Sequence, residues 1–185
     1  MLRVIGGKYK HRLLKQPLKE TTRATKDIAK CGLFSSLGDL TNKSFLDAFS
    51  GSGAIAIEAI SRNAKKVVAI EKDKDAYNII LDNINNLENK IFEDIKVIND
   101  DFYKAIIKLN FTFDIVFIDP PYKYNINNTF ITLLKNNYII NNDSTIIIER
   151  ENKLDINDFK DYSIKELKYG RTLIYILRGK IKWKE

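Results

Sequence analysis

The chain has 185 residues and carries 31 Lys and Arg side chains against 24 Asp and Glu, which gives a formal net charge of +7. This length suits one domain, and a hydrophobic content of 44% supports a sizeable core, so the composition excludes a disordered chain. One Cys and one His exclude a disulfide framework and a Cys- or His-rich metal site, and we expect no bound metal. Because no stretch approaches the roughly 20 apolar residues of a membrane span, we expect a cytoplasmic protein that does not bind a membrane.

The basic charge is concentrated at the two ends of the chain. Residues 1–26 carry eight basic side chains and one acidic side chain, a net charge of +7. Residues 27–159 carry 15 basic and 20 acidic side chains, a net charge of −5, and residues 160–185 carry eight and three, a net charge of +5. This asymmetry favours an anionic partner that contacts both ends, and the alternative is a Lys-rich composition with solvated tails.

The N-terminal residues predict a small basic hairpin followed by a helix. Residues 3–5 and 12–14 are short runs that begin with Arg, and they flank a bend at Gly6-Gly7. Residues 27–37 carry apolar side chains at helical spacing. No long linker or low-complexity tract separates a second domain, so we expect a single domain over residues 1–185.

The middle of the chain alternates between two hydrophobic periodicities. Continuous apolar runs predict strands, and runs with a helical period predict the helices between them. The strands are expected at 45–49, 66–71, 95–98, 113–118 and 145–148, and the helices at 54–62, 73–89, 102–109 and 128–137. Residues 163–169 and 172–178 around Gly170 predict an antiparallel hairpin at one side of the sheet. The predicted fold is α/β, a doubly wound and mostly parallel seven-stranded sheet with an antiparallel C-terminal strand.

The first strand of this series ends at a glycine-rich turn, Asp47-Ala48-Phe49-Ser50-Gly51-Ser52-Gly53. The two glycines let the backbone turn tightly and approach a ligand at the carboxyl edge of the sheet. A dinucleotide-binding fingerprint has a third glycine where this chain has Ala56, although Ala is tolerated there in some fingerprints. The motif alone therefore leaves open a dinucleotide site, another cofactor site and a turn without a ligand.

Acidic residues also end the next two strands. Glu71 ends the second strand, where its carboxylate can accept hydrogen bonds from two ribose hydroxyls. Asp100 and Asp101 end the third strand, where one of them can accept a hydrogen bond from an adenine amino group. Each of these acidic residues also has an explanation without a ligand, because acidic side chains are favoured where a helix begins. Taken together, the carboxylates repel pyrophosphate, so they favour a cationic nucleoside-like cofactor such as S-adenosylmethionine over NAD.

The most specific motif is Asp119-Pro120-Pro121-Tyr122, directly after the predicted strand at 113–118. Two prolines fix φ and remove two N–H donors, which leaves carbonyl groups aimed in a set direction. The Asp119 carboxylate and the Pro120 carbonyl can then both accept hydrogen bonds from one exocyclic NH₂ group, and Tyr122 offers a ring for base stacking. Two acceptors stabilise the positive charge that builds on an aryl amine as it attacks. The alternative is a Pro-Pro turn next to a buried Tyr.

At this point the motifs resemble a known family. Asp47-x-Phe49-x-Gly51-x-Gly53 with Asp119-Pro-Pro-Tyr122 is similar to class I S-adenosylmethionine-dependent methyltransferases that act on exocyclic amines. Three further segments narrow the resemblance to the RsmD family over nearly the whole chain: Arg3-Val-Ile-Gly-Gly-Lys8 with Arg12-x-Leu14, Arg23-x-Thr25-x-Asp27, and Tyr169-Gly-x-Thr172. The resemblance implies a bacterial 16S rRNA guanine-N2 methyltransferase with a Rossmann-like class I fold. It also implies that the partner is 16S rRNA, in the small ribosomal subunit or an assembly intermediate, and we expect the protein to be a monomer.

The resemblance implies a role for each matching position of this chain. It divides the domain into a basic N-terminal hairpin over residues 1–26 and a catalytic core over residues 27–185. The residues implied to hold the target amine are Asp119, Pro120, Pro121 and Tyr122. Those implied to bind S-adenosylmethionine are Thr25, Asp47, Gly51, Gly53, Glu71 and Asp101, and those implied to bind RNA are Arg3, Lys8, Lys10, Arg12 and Arg23.

The chain departs from the family pattern in the segment that is expected to close over the cofactor. Ala24 stands where members usually have Pro, and Lys30-Cys31 stands where they usually have Arg-Glu. These departures concern the closing segment and leave the catalytic motif intact.

Three other functions are compatible with parts of the sequence. An adenine-N6 DNA methyltransferase shares the Asp-Pro-Pro-Tyr motif, but it generally needs a target-recognition region for which the hairpin within residues 1–26 leaves little room. A ribosome-assembly factor that binds RNA without catalysis would also use basic chain ends. An NAD-dependent dehydrogenase is disfavoured by Ala56 and by the acidic strand ends.

Overall fold

A computed structural model describes residues 2–17, 27–87, 94–121 and 126–180 of the protein. Within these ranges the strands are β1 (Leu2–Arg3), β2 (Leu13–Leu14), β3 (Ser44–Asp47), β4 (Lys66–Glu71), β5 (Ile95–Asn99), β6 (Ile115–Ile118), β7 (Thr145–Arg150), β8 (Tyr162–Tyr169) and β9 (Thr172–Gly179). The helices are α1 (Asp27–Leu37), α2 (Ala54–Ser61), α3 (Lys74–Asn85), α4 (Phe102–Ile106) and α5 (Asn128–Asn136), and a 3₁₀-helix covers Ile156–Phe159. In this part of the chain, no helix has the length and apolar character needed to cross a membrane.

Seven strands form one sheet in the order β5-β4-β3-β6-β7-β9-β8. The strands β3 to β7 all run parallel, and β9 lies antiparallel between β7 and β8. Parallel neighbours need crossover connections, and these connections place helices on the faces of the sheet. The predicted doubly wound fold, with its antiparallel C-terminal strand, is therefore confirmed. β1 and β2 form the separate N-terminal hairpin that was also predicted.

Helices cover the sheet on both faces, which explains why its central strands are continuous apolar runs. β3 and β6 are buried along their whole lengths. One face packs against α1, α2 and α3, which contribute core residues such as Leu33, Ile57 and Ile80. The other face packs against α4 and α5, where the Phe102 and Phe130 rings stack with centroids 5.2 Å apart. The sheet thus leaves its strand ends, rather than its faces, for a ligand.

A buried carboxylate docks the N-terminal hairpin on this core. Glu58 in α2 is fully buried and accepts hydrogen bonds from the backbone N–H groups of Ile5 at 2.7 Å and Gly6 at 2.8 Å. The guanidinium of Arg62 donates to the same carboxylate at 2.8 Å. Two orphan backbone donors of the hairpin are therefore satisfied by one side chain of the core.

Lys30, one of the departures from the family pattern, completes this anchor. Its side chain is fully buried, donates to the carbonyl oxygen of Arg3 at 2.5 Å and lies 3.8 Å from the Glu58 carboxylate. Burial lowers the pKa of Lys30, and the negative charge of Glu58 opposes that shift. One buried charge cluster therefore holds α1, α2 and the hairpin together.

We expect Glu58→Ala to lower the free energy of unfolding by about 3–5 kcal/mol, because it removes the carboxylate that pairs with the buried Lys30 and accepts the N–H groups of the hairpin. Chemical denaturation of the variant and the parent protein measures this difference. Lys15→Ala is the control, since it removes an exposed ion pair with Asp82 and should cost less than about 1 kcal/mol. Similar losses in the two variants would contradict the importance of the buried cluster.

Candidate active site

The carboxyl ends of four parallel strands bring acidic residues to one edge of the sheet. Asp47 ends β3 and Glu71 ends β4. Asp100 and Asp101 follow β5, and Asp119 follows β6. Because β5, β4, β3 and β6 are consecutive parallel neighbours, these residues share one edge. This is the edge at which open α/β sheets bind their ligands.

The turn after β3 brings the backbone close to α3. Gly51 and Gly53 have φ values of 55° and 77°, in the left-handed region that favours glycine. A Cβ atom on Gly53 would lie 2.9 Å from the Cγ2 atom of Ile80, so a side chain at this position would collide with α3. A hydrogen bond from the Gly53 N–H to the Ser50 carbonyl, 2.8 Å long, closes the turn. The predicted tight glycine turn at the strand end is present.

Asp47 is a buried acid beneath this turn. Its side chain is buried, and its Oδ2 atom accepts a hydrogen bond from the backbone N–H of Ala56 at 3.2 Å. Among the described residues, its Oδ1 atom has no hydrogen-bond partner. Burial raises the pKa of Asp47 to about 7, and the nearby carboxylates of Asp119 and Glu71 act in the same direction. A buried acceptor without a partner at a strand end fits a donor or a cation supplied by a ligand.

Glu71 holds the glycine turn from the neighbouring strand. Its Oε2 atom accepts a hydrogen bond from the Gly51 N–H, and its Oε1 atom accepts one from the Asp73 N–H, both at 2.7 Å. Burial raises the pKa of Glu71, and these two hydrogen bonds oppose the shift. The carboxylate is thus fixed beside the turn, where it suits a ribose, although that contact remains a prediction.

Asp101 and Asp100 lie farther along the same edge. Asp101 caps α4 by accepting a hydrogen bond from the Tyr103 N–H at 3.1 Å, so the capping alternative is present in the structure. It also pairs with Lys72 at 2.9 Å, and this hydrogen-bonded pair lowers the pKa of Asp101. Asp100 pairs with Lys108 at 2.7 Å. A contact between Asp101 and an adenine remains a prediction.

Asp119, Pro120 and Pro121 leave the sheet beside Asp47. The pairing of β6 with β3 places Phe117 opposite Asp47, two residues before Asp119. Asp119 and Pro120 are half-buried, and Pro121 is exposed. The carboxylate and carbonyl acceptors of this segment therefore lie at the ligand-binding edge. Tyr122, the fourth residue of the motif, lies outside the described residues.

The described residues of the hairpin that are predicted to bind RNA are exposed, as phosphate contacts would require. They are Arg3, Lys8, Lys10 and Arg12. Arg3 pairs with Asp27 at the start of α1, at 3.0 Å. The other residues predicted in this region, Arg23 and Thr25, lie outside the described residues, as does Ala24. Contact with RNA remains a prediction for all of these residues.

Sequence reasoning missed one residue that contacts the site. Asn83 in α3 is buried and donates a hydrogen bond to the Ser52 carbonyl in the glycine turn, at 3.0 Å. A usable signal exists in the sequence, since Asn83 stands between Ile80 and Ile84 on the apolar face of the predicted helix. A polar residue in such a position is buried at a cost unless its hydrogen bonds are satisfied.

The model of the family described as Conserved hypothetical protein 95 matches residues 2–178. The chain belongs to this family. A relative from Haemophilus influenzae, named Ribosomal RNA small subunit methyltransferase D, is 36% identical over 154 residues, which are 81% of this chain and 79% of that protein. A relative of the same name from Buchnera aphidicola is 32% identical over 181 residues, 95% of this chain and 90% of that protein.

The chain is also similar to solved structures. One from Escherichia coli, described as an unconfirmed methyltransferase, is 26% identical and has a TM-score of 0.83. The match covers 98% of this chain and 99% of that chain. The resemblance to the RsmD family and the Rossmann-like class I methyltransferase fold, both predicted from the sequence, are therefore confirmed.

We expect the buried Asp47 carboxyl to make the stability of the ligand-free protein fall as the pH rises. Its pKa is about 7 in the folded protein against an ordinary value of 3.8, so the folded state binds this proton more tightly than the unfolded chain does. The stabilisation is fully present below about pH 4 and is lost as the pH rises towards about 7. Carboxyls whose pKa is lowered in the folded protein, Asp101 among them, act in the opposite direction, so the contribution of Asp47 is measured by chemical denaturation against a matched variant.

The matched variant is Asp47→Asn, which keeps an acceptor for the Ala56 N–H but has no proton to lose. The stability of the parent protein relative to this variant should fall between about pH 4 and pH 7. If the stabilities of the two proteins changed in parallel with pH, the result would contradict the conclusion that burial raises the pKa of Asp47.

Proposed function

We propose that the protein transfers a methyl group from S-adenosylmethionine to the exocyclic N2 of a guanine in 16S rRNA. The observation that carries this proposal is the position of Asp119, Pro120 and Pro121 at the end of β6, beside the Asp47 and Glu71 strand ends. The names of the Haemophilus and Buchnera relatives support RNA of the small ribosomal subunit as the substrate. The guanine N2 atom follows from the resemblance of the motifs to the RsmD family.

The residues at the sheet edge fit a cationic nucleoside-like cofactor. S-adenosylmethionine, when bound, supplies a methyl group that is activated by a positively charged sulfur. Gly51 and Gly53 would line its methionine end, above Asp47 and the buried Oδ1 acceptor. Glu71 would accept hydrogen bonds from the ribose hydroxyls and Asp101 from the adenine amino group. Thr25 would belong to the segment that closes over the cofactor.

Asp119 and Pro120 would hold the target amine by two hydrogen bonds. The lone pair of an aryl amine is delocalised into the ring, so the free base is a poor nucleophile. Two acceptors on the amine hydrogens stabilise the positive charge that develops on nitrogen in the transition state. Pro121 would keep the segment rigid, and Tyr122 would stack on the base, so that the amine is held in line for attack.

The basic residues of the chain ends would bind the phosphates of the RNA. Arg3, Lys8, Lys10, Arg12 and Arg23 supply the charge for this contact. The target guanine has to leave its stack to reach the sheet edge, because a paired base does not expose its amine to an active-site pocket. We propose that the protein acts in the cytoplasm as a monomer, on the small subunit or an assembly intermediate.

Asp119→Ala should lower the rate of methyl transfer at least about 100-fold, because one of two acceptors for the developing charge is lost. The affinity for S-adenosylmethionine should change less than about threefold, because Asp119 is assigned to the amine rather than to the cofactor. Labelled methyl transfer to unmodified small subunits measures the first quantity, and calorimetry measures the second. Asp143→Ala, at an exposed loop position, is the control and should retain full activity.

Full activity of Asp119→Ala would contradict the assignment. A second informative result is a parent protein that binds small subunits but never transfers a methyl group. That result would favour the non-catalytic assembly factor, for which Asp119→Ala and the parent protein should bind subunits equally.

The double variant Lys8→Ala/Lys10→Ala should bind RNA more weakly and with a shallower salt dependence. Each lost phosphate contact reduces the slope of log K against log salt by about 0.7–0.9. A filter-binding titration at several salt concentrations measures both effects. The control is Lys96→Ala/Lys135→Ala, which removes the same charge from exposed positions in β5 and α5, outside the basic chain ends. Equal losses in the two double variants would show that net charge, rather than the hairpin, governs binding.

A further inference from the structure

Asn83 is a polar side chain inside an apolar helix face. It lies near the end of α3 between the buried residues Ile80 and Ile84, and only 1% of its surface is exposed. Burying an amide group costs free energy unless its donors and acceptor find partners. The identity of these partners therefore tells what Asn83 does in the fold.

Three hydrogen bonds of Asn83 join two separate segments of the chain. Its Nδ2 atom donates to the Ser52 carbonyl at 3.0 Å and to the Lys15 carbonyl at 3.1 Å. Its Oδ1 atom accepts a hydrogen bond from the Lys15 N–H at 2.7 Å. The Asn83 amide thus forms hydrogen bonds with both the N–H and the carbonyl of Lys15. Its Nδ2 atom, which donates to Lys15, also donates to the glycine turn.

The two segments belong to the two ligand sites of the proposed function. Ser52 lies between Gly51 and Gly53, in the turn assigned to the cofactor. Lys15 directly follows β2, in the hairpin assigned to RNA. Glu71 fixes the same turn from its other side by accepting the Gly51 N–H. The position of the turn is therefore set jointly by β4 and, through Asn83, by the hairpin.

A second anchor of the hairpin does not reach this turn. Ser61 at the last position of α2 accepts a hydrogen bond from the Tyr9 N–H at 2.9 Å and donates to the Gly6 carbonyl at 2.6 Å. α2 begins directly after Gly53 and runs away from the turn, so Ser61 lies at its far end. The contact at Asn83 is therefore placed to transmit a change between the hairpin and the turn, whereas the contact at Ser61 only docks the hairpin.

We infer that Asn83 is a positioning residue that couples the binding of RNA at the hairpin to the binding of the cofactor at the glycine turn. The inference rests on the proposed function, which assigns a ligand to each segment. A ligand on either segment favours the arrangement in which all three hydrogen bonds of Asn83 are made, so it raises the affinity for the other ligand. By linkage the two effects are equal, and such coupling factors are typically about 5 to 150.

The test measures both affinities in both directions. The dissociation constant of S-adenosylhomocysteine, which cannot donate a methyl group, is measured with and without saturating unmodified small subunits. The dissociation constant of the subunits is measured with and without saturating S-adenosylhomocysteine. In the parent protein each ligand should lower the dissociation constant of the other at least about fivefold, and the factor should be the same in both directions.

Asn83→Asp is the diagnostic variant. Its carboxylate is isosteric and still accepts the Lys15 N–H, but it has no N–H to donate to the Ser52 and Lys15 carbonyls, so the contact with the glycine turn is lost. If Asn83 couples the two sites, the coupling factor of this variant should fall to about 1. If Asn83 is only structural, the variant should bind both ligands more weakly and keep the coupling factor of the parent protein. Lys15→Ala keeps its backbone hydrogen bonds to Asn83, so it is the control and should retain the parent coupling factor.

Two results would overturn the inference while the proposed function stands. One is a parent protein that binds both ligands with a coupling factor of 1, and the other is an Asn83→Asp protein that retains the parent factor. A parent protein that binds neither ligand would overturn the proposed function and this inference with it. The melting temperature of Asn83→Asp with and without S-adenosylhomocysteine confirms that the variant is folded and binds.

Discussion

A buried carboxylate at the end of the central strand constrains the whole carboxyl edge of the sheet. β3 is buried on both faces, and the Asp47 side chain at its end is buried with an Oδ1 atom that has no hydrogen-bond partner among the described residues. The glycine turn closes over this acid because two residues adopt left-handed φ values, and Glu71 fixes the turn from β4. A cleft with these acidic groups repels phosphate and favours a cationic ligand. This electrostatic preference supports the proposal of S-adenosylmethionine rather than a dinucleotide as the cofactor.

The hairpin belongs to the same folded unit as this sheet edge. Glu58 and Lys30 are fully buried, and together they hold the hairpin backbone on α1 and α2. Asn83 adds a contact that joins Lys15 to the glycine turn. The basic hairpin and the acidic sheet edge are therefore held by the same helices, as the proposed function requires of an RNA that binds the hairpin and presents a base at the sheet edge. The basic residues at the start of the sequence thus lie in the hairpin, and acidic residues from its middle lie at the edge of the sheet.

The sequence predicts most of the fold and the acidic edge, because both depend on local patterns. Buried parallel strands are continuous apolar runs, and Gly170 between two strand-like segments marks the hairpin that places β9 antiparallel to β7. The buried cluster around Glu58 was not predictable, since charged residues at helical spacing are typical of a solvated surface. The position of Asn83 on an apolar helix face predicts its burial, but not its partners, which lie 31 and 68 residues away in the chain. Such long-range hydrogen bonds leave no periodicity in the sequence.

The measurement that tests the central claim most directly is the identity of the methylated nucleoside. Unmodified small subunits are incubated with the protein and labelled S-adenosylmethionine, and the 16S rRNA is digested and separated by mass spectrometry. The account predicts N2-methylguanosine as the labelled product at a single position, formed by the parent protein and lost with Asp119→Ala. Label in N6-methyladenosine, or no label in the RNA at all, would contradict it.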